Sequence, residues 1–509
     1  MNILVPILEQ LGSVHSRTAI ASHAGSITYG ELADRSARLG AAWRAKGLRK
    51  GDRVLVAMPL GIDLYAGLIA LWRVGAVAVF PDISLGLYGL RQAIEAVRPQ
   101  AFLAQGRLRM LTFVYPELMS SLQLRTQDRH PASDAIEAMA DHDPAMISFT
   151  SGSTGKPKAI VRSHRVLADQ SACVGSILRS AKPEIDLIAF PMFVMANLSI
   201  HGTSVLPPWN LRRPDRVSAR RIASVIARHH VTRALIPPAT CESLVDASGV
   251  HLNEILTGGG PIYPDLLDRL SAEVRAKDIV LIYGSTEAEP IAHQRLSEMT
   301  EEERCAMRSG GGLLAGKPIP EVKVRLVDGE IIVTGQHVNK GYLNSNDDSS
   351  TKIREGGEVW HRTGDLGRMD DEGRLWLLGR REAFANGLFP FAVEAAARSW
   401  TKVSCAALLC LNGRSVLAIE GDPRLRTEWQ ENSRRFGDVP IFVLRKIPKD
   451  RRHRSKIDYP RLTGLVLATT RPHRKYATRS ASTRVAKLLP FHVSCDYEQS
   501  LHQRNRQHG

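Results

Sequence analysis

The chain has 509 residues, 43% of them hydrophobic and 24% charged, a composition that excludes fibrous and disordered classes and, at this length, calls for two or more domains. Its formal charge of +16 bears on solubility and steering more than on fold. The six cysteines, Cys173, Cys241, Cys305, Cys405, Cys410 and Cys495, include no Cys-x-x-Cys pair, which points to reduced thiols and away from a disulfide scaffold or a zinc site.

Met1 to Pro6 carries no basic stretch, and its apolar run is broken at Pro6 and Glu9, so no signal peptide is expected. The most apolar window, Leu64 to Phe80, is interrupted by Arg73 and is too short to span a bilayer. A cytoplasmic protein with no membrane span is the expectation. Thr28 precedes a helix over Ala33 to Lys46, in which Leu32, Leu39, Ala42 and Trp43 recur at helical spacing. Arg53 to Met58 reads as a buried strand, Asp63 to Val74 as a helix and Ala76 to Phe80 as the next strand. Strand and helix alternate in this way to about residue 300, which predicts a mostly parallel sheet with helices on its faces.

After Gly316 the short runs Val322 to Val327, Glu330 to Val333 and Arg374 to Leu378 predict a small β unit. Beyond Gly379-Arg380 a helical run, Ala392 to Trp400, and strand-like Ala406 to Leu411 and Val416 to Ile419 predict a separate small domain. From Leu465 onward the periodicity fades and eight basic residues stand against two acidic ones, the mark of a weakly ordered basic tail. The fold class expected is α/β: a large N-terminal domain of packed α/β subdomains plus a small β unit over 1–378, a smaller mobile α+β lid over 379–464, and the tail over 465–509.

The run Ile147 to Lys158 carries the strongest local signal. A strand feeds a loop of Thr150, Ser151, Gly152, Ser153, Thr154, Gly155 and Lys156, which supplies backbone amides, hydroxyls and positive charge to phosphate oxygens. It is not a Walker A loop, because Pro157 follows Lys156 and disfavours helix at the residue before it.

Thr150 to Lys158 resembles the signature loop of the adenylate-forming superfamily of acyl-CoA synthetases, peptide-synthetase adenylation domains and luciferases. Further segments match in the same order over roughly residues 20 to 464. Gly258, Gly259, Gly260 and Pro261 resemble the adenine-side turn, and Tyr283, Gly284, Ser285, Thr286 and Glu287 the nucleotide and metal motif. His361 to Gly367 and Gly379-Arg380 resemble the ribose and hinge motifs, and Lys456 the C-terminal lysine.

The resemblance implies ATP and Mg²⁺. Glu287, a hard oxygen ligand, would hold the metal while Thr286 donates to the α-phosphate; taken without the resemblance, the pair also reads as a helix N-cap with an acidic first turn. Asp365 would accept both ribose hydroxyls, or be a turn aspartate. Arg380 would reach ribose or phosphate, or be a solvated surface arginine. Lys456 would bring a compact charge between the substrate carboxylate and the α-phosphate, although a lysine in a basic loop is usually just solvated.

Phe193, Val194 and Met195 fall where the resemblance places the acyl pocket, with Val194 where many acyl-CoA synthetases have histidine. The implied reaction activates a carboxylic, expectedly fatty, acid as an acyl-adenylate, with CoA the default acceptor. The loop Arg381 to Pro390 is shorter than the family's glycine-rich version, which helps form the thiol channel. Both departures resemble the β-lactone synthetase branch, in which the hydroxyl of a β-hydroxy acid displaces AMP without CoA. A non-catalytic adenylate-fold protein that binds a ligand or polyanion is a further alternative; nucleic acid is not the expected partner.

Overall fold

Thr28 closes a short strand, Gly25–Thr28, and caps the helix Tyr29–Ala45. Its hydroxyl accepts from the Glu31 amide while the Glu31 carboxylate accepts from the Thr28 amide at 2.8 Å, so two amides left over at the helix start satisfy each other's side chains. Leu32, Leu39, Ala42 and Trp43 lie on its buried face, which packs against the helix Ile62–Val74. That second helix ends at Gly75 in a left-handed conformation, φ 77°. A Cβ there would stand 2.8 Å from the Met139 sulfur, so both backbone and space require glycine. Trp43 and Trp72 are fully buried in the core these helices share; removing either ring would cost about 3–5 kcal/mol.

The computed structural model describes residues 2–8, 14–82, 86–151, 157–437, 439–450 and 454–470. Its strands form three sheets, and the alternating strands up to residue 300 divide between two of them, as expected of packed α/β subdomains. The first has six strands in the order Leu122–Leu124, Ala101–Ala104, Arg53–Ala57, Val77–Phe80, Pro144–Ser151 and Pro157–Ser163, parallel except for the last pair. Val54 and Val56 of this sheet share one apolar cluster with Leu235, Leu256 and Val280 of the second. The alternating strands thus separate into two layers around a common core, each burying its apolar face against the other.

The second sheet has fourteen strands. It is parallel from Thr18–Ser22 through Thr203–Val205, Ile185–Ile188, Arg233–Leu235 and His251–Gly258 to Arg275–Ser285. Beyond that strand it is antiparallel, through Ala288–Arg295, Leu313–Pro318, Leu375–Arg380, Glu358–Met369, Glu330–Gly335 and Val322–Val327. The β unit expected after Gly316 is therefore not a free-standing sheet. Leu313–Pro318 pairs with Ala288–Arg295 on one side and with Leu375–Arg380 on the other, joining the unit edge to edge to the parallel half.

A third sheet of three strands, Val403–Leu411, Arg414–Gly421 and Ile441–Leu444, is the core of the C-terminal domain. Alternation along Val403–Leu411 serves both faces. Ala406 and Leu408 meet the helices Pro390–Arg398 and Arg426–Ser433, while Ala407 and Leu409 meet Leu462 and Val466 of the helix Tyr459–Thr470. That helix runs six residues past the limit expected at residue 464; the rest of the expected tail, 471–509, lies outside the described residues. Cys173, Cys241, Cys305, Cys405 and Cys410 are free thiols. Among the described residues no helix is long and apolar enough to cross a membrane.

At the centre of the parallel half, Arg233 and Asp186 form an ion pair with side-chain exposures of 1% and 0%. Arg233 Nε donates to Oδ1 at 2.6 Å, Nη2 donates to Oδ2 at 3.1 Å, and Nη1 donates to the Leu178 carbonyl at 2.6 Å. Breaking one side of a buried pair leaves an uncompensated charge in the core. Asp186→Ala is expected to lower unfolding stability by about 3–5 kcal/mol in urea titration, with Asp186→Ala/Arg233→Met recovering a large part of the loss.

Candidate active site

Strand Arg275–Ser285 runs to its C-terminal end and turns back at once into Ala288–Arg295, with Ser285 opposite Ala288. Thr286 and Glu287 are the two turn residues of this hairpin, so the alternative of a helix cap is excluded. The turn is tight: a Cβ on Gly284 would stand 3.0 Å from the Ala288 carbonyl oxygen. Arg162 donates to the Thr286 carbonyl and, from Nη1, to the Ser148 hydroxyl at 2.9 Å. Among the described residues the buried Ser285 hydroxyl finds no hydrogen-bond partner.

Glu287 is held by the loop that follows the antiparallel strands. The Tyr342 hydroxyl donates to Glu287 Oε1 at 3.0 Å, and the Asn339 amide donates to the Glu287 carbonyl at 2.8 Å. The Tyr342 ring lies within cation–π reach of two ammonium groups, 5.4 Å from Lys158 Nζ and 5.6 Å from Lys352 Nζ. Lys352 Nζ donates to the Asn339 carbonyl at 2.5 Å and sits 3.3 Å from His361 Nδ1. Burial would push the Glu287 carboxyl up, but His361, the Tyr342 hydroxyl and Lys352 outweigh it and hold the group below its usual range. Burial pulls Lys352 down to about 8 against the attraction of Glu287. His361 falls to about 4, through burial first and Lys352 second.

Asp365 and Arg380 face each other across neighbouring antiparallel strands. Arg380 Nη1 donates to Asp365 Oδ1 at 2.9 Å and the Tyr283 hydroxyl donates to Oδ2 at 3.0 Å. Arg380 is thereby tied to Asp365 while part of its side chain stays exposed. The turn after His251–Gly258 brings up the fourth wall. Gly259 is left-handed, φ 78°, and a Cβ on Gly260 would stand 2.5 Å from the Ser455 Cβ, so the segment carrying Lys456 lies directly on this turn. Asp450 closes the Lys456 loop: its Oδ1 accepts from the Lys456 amide at 3.1 Å, and its own amide donates to the Lys456 carbonyl at 2.8 Å.

Gly259, Gly260, Pro261, Tyr283, Gly284, Ser285, Thr286, Glu287, Asp365, Arg380 and Lys456, all singled out from the sequence, line one cavity of about 430 Å³. Gly258 sits just behind, where a Cβ would meet the Ile282 carbonyl oxygen at 2.5 Å. Gly152, Ser153, Thr154, Gly155 and Lys156 lie outside the described residues, as do the side chains of Thr150 and Ser151. Lys158, the last residue of that run, lines the cavity.

Phe193, Val194 and Met195 do not line it. They occupy the first turn of the helix Phe193–Ser199 with exposures of 4%, 0% and 1%, packed into the inter-sheet core. Phe190, whose ring lies 5.3 Å from that of Phe193, is the residue that reaches the glycine turn, 3.6 Å from a Cβ on Gly259. The cavity has a different apolar wall, with Ile282, Leu313, Leu314 and Leu377. Tyr342 and Lys352 escaped the sequence reading because nothing local marks them; each acts on Glu287, more than fifty residues earlier.

The AMP-binding enzyme family matches residues 9–343. An olefin β-lactone synthetase from Xanthomonas campestris pv. campestris is 29% identical over 413 residues, covering 71% of this chain and 73% of that protein. An indoleacetate–CoA ligase from Aromatoleum aromaticum is 25% identical, covering 74% of this chain and 79% of that protein. Among solved structures, ATP-bound MatB from Rhodopseudomonas palustris superposes with a TM-score of 0.78 at 19% identity, covering 92% of this chain and 99% of that one, a likeness of fold.

His361 has a testable consequence for acid stability. Its folded-state value of about 4 lies below the ordinary 6.5, so the unfolded chain binds the proton more tightly. The stability it contributes is present above pH 6.5 and is lost as pH falls toward 4, by at most about 3 kcal/mol. His361→Phe is expected to flatten this limb: urea titrations of nucleotide-free protein at about pH 6.5 and pH 4.5 should show a smaller loss in the variant than in the native chain.

Proposed function

This chain belongs to the AMP-binding enzyme family, an ATP-dependent AMP-forming acid ligase in kind, and on that premise we propose that it activates an apolar, fatty carboxylic acid as its acyl-adenylate. A carboxylate oxygen of the acid bonds to the α-phosphorus of ATP, the bond from that phosphorus to the bridging oxygen breaks, and pyrophosphate leaves. The observation that carries the reading is convergence. A hairpin turn (Thr286, Glu287), a strand pair (Asp365, Arg380) and a C-terminal loop (Lys456) meet on one cavity from three distant parts of the chain.

In this reading Asp365, oriented by Tyr283 and Arg380, takes the ribose hydroxyls, and the Gly258 to Pro261 turn takes the adenine side. Thr286 and the Ser285 hydroxyl face the α-phosphate. Lys456 places its ammonium between two anions, the acid's carboxylate and the phosphate, which otherwise repel each other. The acyl part lies along Leu313, Leu314 and Leu377, replacing the assignment to Phe193, Val194 and Met195. The domain limits 1–378 and 379–464 are taken to separate the body from a mobile lid.

The donor set suits Mg²⁺. Among the described residues no group of three or more His, Cys, Asp or Glu could hold a metal ion. One carboxylate, Glu287, held in its charged form, is the protein's share, and a small hard cation completes its shell with phosphate oxygens and water. Bound there, Mg²⁺ would neutralise developing phosphate charge.

CoA is the default acceptor of the acyl group. A second reading closes a β-lactone within an adenylated β-hydroxy acid, the substrate's own hydroxyl displacing AMP. Two observations favour it: the likeness to an olefin β-lactone synthetase, and the short link from Arg380 to Pro390, which is filled by one 3-10 turn, Arg381–Ala383, and a bridge between Ala385 and Leu388.

Pyrophosphate release measured across short, aromatic, long-chain and β-hydroxy acids, each with and without CoA, separates these readings. Release with a long-chain acid that needs CoA supports the ligase; thiol-independent AMP accumulation with a β-hydroxy acid supports ring closure; no release from any acid overturns both. With an accepted acid, Lys456→Ala is expected to slow release about a hundredfold or more while ATP affinity changes by less than about threefold. Glu287→Ala is expected to weaken the magnesium dependence of the rate. Unchanged release in both variants would overturn the assigned roles.

A further inference from the structure

Three elements meet at one buried carboxylate outside the reacting centre. Glu394, on the helix Pro390–Arg398, is fully buried. Its Oε2 accepts from the Tyr263 hydroxyl at 2.5 Å, and its Oε1 accepts from the Tyr459 hydroxyl at 3.2 Å and from the Leu408 amide at 3.0 Å. Tyr263 stands two residues after Pro261, at the end of the glycine turn, and Tyr459 three residues after Lys456. Both tyrosines line the cavity that Lys456 lines.

A second strut runs beside the first. Arg398, one helical turn beyond Glu394, donates from Nε and Nη2 to the two Asp265 oxygens at 2.8 and 2.7 Å, and its guanidinium lies 4.6 Å from the centre of the Tyr263 ring. The opposite edge of that ring meets Phe391 at a centroid distance of 6.3 Å, with planes 89° apart. Tyr263 is therefore clamped on the C-terminal helix by one guanidinium, one ring and one hydrogen bond, and the same carboxylate passes on to Tyr459.

We propose that Glu394 is a positioning residue for adenylation: by holding Tyr263 and Tyr459 on its two oxygens it fixes the Lys456 segment against the glycine turn and sets the reach of the lysine into the cavity. The proposal rests on the reading of Lys456 given above. Nothing in it requires Glu394 to touch substrate. The bonds have a division of labour. Tyr263 fixes where the helix sits on the N-terminal domain, and Tyr459 fixes where the lysine loop sits on the helix. Nucleotide contacts through Tyr283, Asp365 and Arg380 do not involve Glu394, so loss of the carboxylate should disturb the lysine and spare ATP.

The test uses the full chain with two variants that keep side-chain shape, Tyr459→Phe and Glu394→Gln. ATP–pyrophosphate exchange is read as kcat and as KM for ATP, and amide hydrogen exchange is read over residues 454–462 and over the strand Arg53–Ala57. Tyr459→Phe and Glu394→Gln are each expected to lower kcat about tenfold with the KM for ATP within about twofold. Exchange over 454–462 should rise while Arg53–Ala57 stays as protected as before.

Native kcat in both variants overturns the proposal, as does a fall in kcat matched by an equal rise in KM with faster exchange across the whole molecule, which is the signature of general damage. Should the native chain release pyrophosphate with no acid, the catalytic reading fails on its own. Hydrogen exchange then decides the coupling: unchanged protection over 454–462 in Tyr459→Phe and Glu394→Gln sinks it.

Discussion

The site depends on one strand, Arg275–Ser285, which pairs in parallel with His251–Gly258 on one side and in antiparallel fashion with Ala288–Arg295 on the other. On the parallel side each return requires a crossover, so chain must leave the sheet at the strand ends and a crevice opens there. On the antiparallel side the chain can turn back in two residues, which is what Thr286 and Glu287 do. A change of pairing direction thus creates a gap and lines it with a tight turn at the same point. The glycine turn after His251–Gly258 comes to the same edge because the two strands are in register, Gly258 beside Ile282.

Once that edge exists, the remaining chemistry is a matter of keeping charged groups dry and paired. Glu287 needs donors to remain ionised away from water, and Asp365 is likewise held by hydrogen bonds. Each draws them from a different element: Tyr342 from the loop before Lys352–Glu355, Tyr283 from the central strand, and Arg380 from the strand after Asp365. Single hydrogen bonds of this kind are worth little in water. In the confined cavity they decide orientation, since the cost of leaving either carboxylate unpaired exceeds the gain from any one bond. The antiparallel half of the sheet accordingly lines the cavity as well as supporting it.

Much of this was legible in the chain. The Thr28 cap, the helix faces of Leu39 and Trp43, and the strands Arg53–Ala57 and Val77–Phe80 follow from local chemistry and spacing, and the structure places each within a residue or a few of where the pattern predicts. The residues of the glycine turn, the Tyr283 hairpin and Asp365 could be singled out because short motifs around them resemble those of a known family, and the structure brings them to one cavity. What escaped was long-range. Glu358–Met369 shows no steady alternation, because its pairing shifts at Leu366 and Gly367. Phe193 to Met195 looked like a pocket wall in one dimension, whereas the helix they begin turns its apolar side into the core. Tyr342, Lys352 and Glu394 carry no local signal, and their partners are set by topology alone.

The segment from Arg381 to Phe389 leads to a further consequence. It is nine residues long, and even a fully extended chain of that length reaches only about 30 Å. Part of it is already wound into the turn Arg381–Ala383 and pinched between Ala385 and Leu388, which shortens the leash further. The leash begins at Arg380, a residue that is itself anchored through its guanidinium to Asp365. The start of the leash and the wall of the cavity thus share one ion pair, so whatever displaces Asp365 tugs on the root of the C-terminal domain.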